Sequence, residues 1–289
     1  MKNLDIAILR SFVAAADYGS LVLAAEYVSR SQGALSMQIS KLEDMVGQKL
    51  FFRSKSGVKL TEAGTNMLTY ARKILSINDE AITATESSNL QGVLRLGIPQ
   101  DLGLKYIPEL LGQYKRAYPN IRIITHVDSN HNLSVRVRES ELDIAFLFST
   151  IKIEDATFIS SLATKWIGAK DYVFNDNTPL SLIVPPAPCH YRDMAQNRLK
   201  EQKLNWQLDY ISGNMLSIWA AAEAGLGLTI RNSLNIPPQL QTLDHINQLP
   251  PLADSTLWML ESTNNNHKIR QQFINFLCPK LTQMLSVHV

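Results

Sequence analysis

Two cysteines in 289 residues, Cys189 and Cys278, are too few and too far apart for a disulfide framework or a thiolate metal site. No histidine precedes His126, and none of the six stands at metal-ligand spacing from a cysteine, so no metal is expected. There is no G-x-S-x-G elbow, no H-E-x-x-H, no Walker loop and no cysteine with a clear histidine partner, which argues against catalysis and against a bound cofactor. Long apolar runs are missing too. The N-terminal MKNLDIAILRSFVAAADYGS is interrupted by Asp5 and Arg10 and followed by Asp17, so it reads as neither a secretory leader nor a membrane span. These absences point to a cytoplasmic protein with reduced thiols, no membrane partner and no enzymatic activity.

What the chain does have is an ordinary globular composition, 45% hydrophobic and 19% charged, at a length suited to about two domains. The net charge of +2 is small, but its distribution is uneven. Between residues 30 and 59, six basic side chains stand against Glu43 and Asp44, a local excess of +4 suited to attracting phosphate. Residues 4–59 read as three short helices and a hairpin. Leu4, Ile6, Ala7, Leu9, Phe12, Val13 and Ala16 form a wide apolar stripe that breaks at DYGS, where Ser20 suits an N-cap. Leu21 to Val28 makes a second helix, and Ser29-Arg30-Ser31 turns into a third that ends at Gly47. The third helix turns Leu35, Ile39 and Leu42 inward, and its start is rich in short uncharged polar residues, Ser31, Gln32, Ser36 and Gln38. KLFFRSKSGVKLT then suggests two short strands around a Ser-Gly turn. This pattern is that of a winged helix-turn-helix, whose second motif helix enters the DNA major groove tip first. Ser31, Gln32 and Ser36 suit that groove, because an amide pairs with adenine and a hydroxyl donates or accepts. A plain helical bundle with an uncharged exposed face is the alternative.

Residues 61–88 read as one long helix, capped by Thr61 and with Glu62 complementing its dipole. Met67, Ala71, Ile74, Asn78 and Ala81 repeat at spacings of four and three, the pattern of a dimerisation seam. SSNLQG then serves as a hinge. From Val93 onward, strands alternate with helices, which implies an α/β domain of two lobes around a crevice. AGLGL lacks nucleotide-loop spacing, so its glycines are assigned to a helix-to-strand turn. Taken alone, this second part would also suit a bilobal solute-binding protein. The fold class is therefore α+β multidomain: a winged helix-turn-helix over 1–60, a linker helix over 61–88 and an effector domain over 92–289. Within the last, lobe I takes about 92–162 and 266–289, and lobe II about 163–265.

The run from Phe12 to Gly64 resembles the LysR-type family of bacterial transcriptional regulators. The resemblance rests on S-Q-x-A-L-S-x-Q-I, L-E, G-x-x-L-F-x-R and L-T-x-A-G, read here as Ser31–Ile39, Leu42–Glu43, Gly47–Arg53 and Leu60–Gly64. Further on, YARKILSINDEA, SNLQGVLRLGIP, YRDMA and LPPLADS look like the branch of enterobacterial motility and exoenzyme repressors. The resemblance implies a homodimer, often assembled as a tetramer, on promoter DNA, with a small effector altering how the DNA is bent. It also implies that Ser31, Gln32, Gly33, Ser36 and Met37 face bases, and that Arg30, Lys41, Arg53 and Lys55 meet phosphates or the minor groove. Gly33 and Met37 stand where the wider family often has Pro and Arg, which leaves the base preference open. Effector contacts are implied at Pro99, Gln100, Asp101, Ser129, Asn130, Ser149 and Thr150 in one lobe, and at Ser212, Gly213, Asn214 and Thr229 in the other. Asp101 would repel an anion and no arginine occupies an obvious crevice position. A neutral or amphipathic effector, a small acid or none at all thus remain open.

Overall fold

Asp5 opens the first helix by accepting hydrogen bonds from the N–H groups of Ala7 (2.8 Å) and Ile8 (3.3 Å). A computed structural model describes residues 3–54, 57–86, 90–175, 177–263 and 266–286. They form two units, residues 1–89 and residues 90–289, except that 116–118 group with the first.

In the first unit, α1 (Ile6–Tyr18), α2 (Leu21–Tyr27) and α3 (Gln32–Val46) enclose a core of Leu9, Phe12, Leu35, Ile39 and Leu42. The wing strands β1 (Phe51–Ser54) and β2 (Gly57–Leu60) pair antiparallel from Phe51 opposite Leu60 to Ser54 opposite Gly57. β1 joins the core through Phe51, whose ring centroid lies 5.3 Å from that of Phe12. The long helix α4 (Glu62–Glu86) starts at Thr61, whose hydroxyl accepts from Gly64 N (2.9 Å) and donates to Lys49 O (2.7 Å).

The seam read from the sequence needs correction. Ala71 is wholly buried in this unit's own core, and Met67 and Ile74 pack against that core, as does Leu68. Asn78 donates to Asp79, which is paired with Arg10 of α1. Four of the five proposed seam residues thus lie on, or are tied to, the face that α4 turns to α1; Ala81 is exposed. A three-and-four repeat marks a buried face without saying what buries it. Here the three short helices claim the stripe first. The large apolar side chains left outside are Tyr70 (63% exposed) and Ile77 (64%), one heptad apart.

The second unit holds two lobes. One is built on a five-stranded sheet ordered β4-β3-β5-β12-β6. Its strands β3 (Gly92–Ile98), β4 (Ile121–Val127) and β5 (Ile144–Ser149) run parallel, while β12 (Ser255–Glu261) lies antiparallel between β5 and β6 (Ala156–Leu162). The helices α5 (Gln100–Gly103), α6 (Tyr106–Ala117), α7 (Asn130–Arg138) and α10 (His267–Leu285) belong here, α10 packing on β3 and β6. The other lobe has a three-stranded sheet, β10 (Thr229–Asn232), β7 (Thr164–Ala169) and β11 (Leu240–Thr242), all antiparallel. Beside it, β8 (Leu180–Val184) runs parallel to β9 (Trp206–Ile211), with α8 (His190–Glu201) and α9 (Met215–Glu223). Gly225 and Gly227 form the helix-to-strand turn before β10, and a Cβ at Gly227 would stand 2.2 Å from Ser181 O.

Two readings change. Residues 255–261 belong to the first lobe's sheet and not to a second lobe running to 265, because β12 is paired on both sides there. β6 and β7, which the strand reading passed over, are nearly one run crossing from lobe to lobe around Ala163. Among the described residues, no helix is long and apolar enough to cross a membrane.

Gly64 sits where α4 presses on the chain entering the wing, and an added Cβ would stand 2.0 Å from Leu50 O. A backbone carbonyl cannot yield as a side-chain tip can. Gly64→Ala is expected to destabilise the first unit by about 1–3 kcal/mol. Urea unfolding followed by circular dichroism measures this, and an unchanged midpoint would remove the close-packing account.

Candidate functional site

Ser31 is the N-cap of α3, its hydroxyl accepting from Ala34 N at 3.2 Å, a cap worth about 1 kcal/mol. Past it, Gln32, Gly33 and Lys41 are exposed, and Met37 is 73% exposed. Arg30 is exposed just before the cap. Gln38 is different: its side-chain oxygen accepts from the buried Ser11 hydroxyl at 2.6 Å, so it ties α3 to α1 and leaves the polar face. From the wing, Arg53 lays its guanidinium along α3, donating to Ser36 Oγ (3.1 Å) and more loosely to Ser40 Oγ (3.4 Å). The result is one surface with an uncharged polar tip, an exposed thioether and basic groups on both sides. Lys55 lies outside the described residues.

Glu43 fixes that surface, and the sequence reading had counted it only as a charge. It is buried at the inner face of α3, where it accepts from Leu50 N (2.9 Å), Phe51 N (3.3 Å) and Lys49 Nζ (2.8 Å). Burial pushes the carboxyl pKa up; the Lys49 hydrogen bond, the two backbone N–H groups and the Lys49 charge more than offset this and hold it below the usual range. One carboxylate thus sets the angle between recognition helix and wing.

The second site is a cavity of about 610 Å³ between the two lobes. Pro99, Gln100, Asp101, Ser129, Asn130, Ser149 and Gly213 line it, whereas Thr150, Ser212, Asn214 and Thr229 do not. Several of these polar groups are already used. Ser129 caps α7, and Asn130 bonds both backbone groups of Phe148 (2.7 and 3.2 Å). At the α9 N-terminus, Asn214 Oδ1 accepts from Leu216 N (2.9 Å) and Gln100 Oε1, reaching across from the other lobe, accepts from Met215 N (2.8 Å). Thr229 is buried in β10 opposite Ile167, facing away from the cavity lining.

The floor supplies what the sequence reading lacked. Arg231, on β10, lines the cavity, which corrects the statement that no arginine stands there. It is 4% exposed, its guanidinium carbon lies 4.9 Å from the Tyr191 ring centroid, and its Nε meets Met215 Sδ at 3.3 Å. Asn232 donates to the Tyr191 hydroxyl at 2.8 Å. Because Phe148 fixes the Asn130 amide, Asn130 Nδ2 donates to His190 Nδ1 (3.1 Å), leaving His190 Nε2–H to donate to Ser255 Oγ (3.1 Å). Burial, and next the Arg231 charge, lower the His190 pKa to about 3, so the ring is neutral. Burial also raises the pKa of Tyr191 and that of Asp101, the latter against the opposing pull of Arg231. A lone Arg in a run such as TIRNS gives no periodic cue, which explains why it was missed.

A winged helix-turn-helix with a polar, basic recognition face, joined to a bilobal α/β domain around a cavity, defines a DNA-binding regulator with a ligand-sensing domain. Residues 6–65 match the bacterial regulatory helix-turn-helix protein of the lysR family, and residues 87–279 match the LysR substrate binding domain. The chain belongs to the LysR family of transcriptional regulators, and it is not an enzyme. It is similar to the HTH-type transcriptional regulator PecT of Dickeya dadantii, 30% identical over 92% of this chain and 84% of that one. Its fold is similar to full-length BenM (20% identity, TM-score 0.52, 98% and 97% of the two chains). It is also similar to Vibrio fischeri DarR in complex with DNA (17% identity, TM-score 0.52, 96% and 99%).

The Glu43 clamp has a pH signature. Because its folded pKa is lowered, its contribution is fully present above the unfolded carboxyl value of about 4.3 and is lost as pH falls through the folded value. Glu43→Gln is expected to cost about 1–3 kcal/mol at neutral pH and to converge on the parent protein in acid. Denaturation at pH 7 and below pH 4 measures this, and a pH-independent gap would contradict it.

Proposed function

We propose that the N-terminal half of α3 reads base edges in the DNA major groove. Ser31, Gln32, Gly33, Ser36 and Met37 form the base-facing set, and Arg30, Lys41, Arg53 and Lys55 hold phosphates or the minor groove. The observation that carries this reading is the exposed, uncharged α3 tip flanked by the Arg53 guanidinium. Amide and hydroxyl groups discriminate bases by hydrogen-bond pattern, and flanking cations supply sequence-independent affinity. DarR, of similar fold, is bound to DNA in its structure, which supports the same use here. The working divisions are 1–60 for DNA binding, 61–88 for the linker helix and the remainder, from 92, for effector sensing. The cavity is the effector site, and its occupancy alters how the DNA is bent. The regulator works in the cytoplasm, on the nucleoid, as a homodimer or a pair of homodimers. Tyr70, Ile77 and Ala81, on the outward face of α4, form its pairing surface, since Met67, Ala71 and Ile74 are already covered.

Gln32→Ala is expected to lose about 1–3 kcal/mol of discrimination at one base position, whereas Lys41→Ala weakens all duplexes alike and lowers the salt slope by about one unit. Footprinting and titrations over variant sites separate the two. Unchanged relative affinities for Gln32→Ala would remove α3 from base readout. Replacing Tyr70 and Ile77 together with Glu is expected to give monomers in sedimentation velocity. An unaltered sedimentation coefficient would exclude that face as the pairing surface.

A further inference from the structure

The cavity floor holds two buried groups of opposite charge that do not neutralise each other by contact. Arg231 makes no ion pair among the described residues; its Nε has only the Met215 sulfur, and its Nη1 reaches Ile230 O only at 3.5 Å. A thioether and an edge-of-range carbonyl are weak matches for a buried guanidinium. Asp101, 7% exposed, faces Arg231 from β10, Tyr191 from α8 and Asn232, which donates to its carboxylate. Tyr191 stays protonated and His190 stays neutral, so Asp101 and Arg231 alone set the charge of the floor. Asp128, His131, Arg138 and Asp193 line the half-buried or exposed part of the wall, where solvent screens them. Burial favours the neutral form of Asp101, and Arg231, acting through space, is the main opposing influence.

Resting on the reading of this cavity as an effector site, we propose that it takes a small carboxylate whose acid group pairs with Arg231, and that Asp101 takes up one proton as the ligand binds. The anion engages the cation that kept Asp101 ionised and adds a like charge beside it, so both effects drive protonation. One anion and one proton enter together, and the charge of the floor is unchanged. A neutral ligand would leave Arg231 as poorly matched as before. An ammonium group would meet Arg231 as a like charge. Leu147, Phe148, Pro185 and Ile153 give the walls an apolar part, and a volume of about 610 Å³ suits an acid with an apolar body.

Hexanoate, benzoate and phenylacetate, each against its own amide, test this by calorimetry on the full-length protein. At least one acid is expected to bind tenfold or more tightly than its amide. Repeating the titration in buffers of different ionisation enthalpy should show proton uptake, with affinity falling by up to about tenfold per pH unit as pH rises. Asp101→Asn is expected to keep the acid-over-amide preference while losing proton uptake and pH slope. Arg231→Gln is expected to lose the preference; if it does not fold, Asp101→Asn decides alone. Amides binding as well as acids, acids binding without proton uptake, a pH slope surviving in Asp101→Asn, or no acid binding would each overturn the proposal. Footprints on promoter DNA are read separately. If they persist while the acids fail, the regulator stands and this ligand class falls.

Discussion

A carboxylate removed from water must be matched by donors, and Glu43 finds its match in the strand that begins the wing. Few other arrangements satisfy it, since α3 is held from behind by Leu35, Ile39 and Leu42 and leaves the side chain facing only Lys49, Leu50 and Phe51. The exposed geometry of the DNA-binding unit follows. With α3 and β1 fixed together, Arg53 can reach Ser36 and lie along the helix instead of pointing into solvent. With β1 fixed, Thr61 can hold Lys49 O and Gly64 N at once, so α4 leaves in a defined direction. A base-reading helix on a loose mount would lose affinity to the entropy of ordering it. Here that ordering is done during folding.

The same physics has a different outcome between the lobes. The polar chain Asn130, His190, Ser255 is satisfied link by link, and it joins one lobe to the first turn of α8 in the other. Arg231 and Asp101 are not matched in that way, although both are as buried as Glu43. A buried charge paired by the chain itself is structural. One left with a sulfur, a distant carbonyl and an aromatic face retains capacity for something else. The contrast is internal to one molecule, so it does not depend on any general scale of burial.

Much of the fold was legible because it obeys periods. The stripes of α1 and α3 and the alternating pattern after Val93 declare themselves in sequence, and so do turns that need Gly47, where φ is +80°. What was not legible depends on partners distant in the chain. STLWML reads as a strand, but nothing in it says that it inserts between β5 and β6. ATFISSLATKWIGA alternates weakly because its two halves serve different sheets. The Met67-Ala71-Ile74 stripe is a true apolar face whose cover is the chain's own α1. Site residues divide the same way. Gln32 and Met37 could be placed from the helix they open, whereas Arg231 and Glu43 are defined by groups 130 and 7–8 residues away, Asp101 and the Leu50 and Phe51 N–H groups.

Gln100 shows how tightly the cavity is bound up with the conformation of its lobes. Its amide donates to Gly213 O at 2.5 Å and accepts from Met215 N, filling the α9 N-terminus with a side chain from the opposite lobe. An anion seeking that helix end would compete with an uncharged amide that is already tethered, and gain only the helix dipole in return. Arg231, bonded to the Met215 sulfur one residue beyond, offers a full charge without breaking the bridge. An occupant held at Arg231 therefore leaves Gln100 in place. Any signal it sends must pass through the floor and through residues that already span both lobes, and lobe opening is not required.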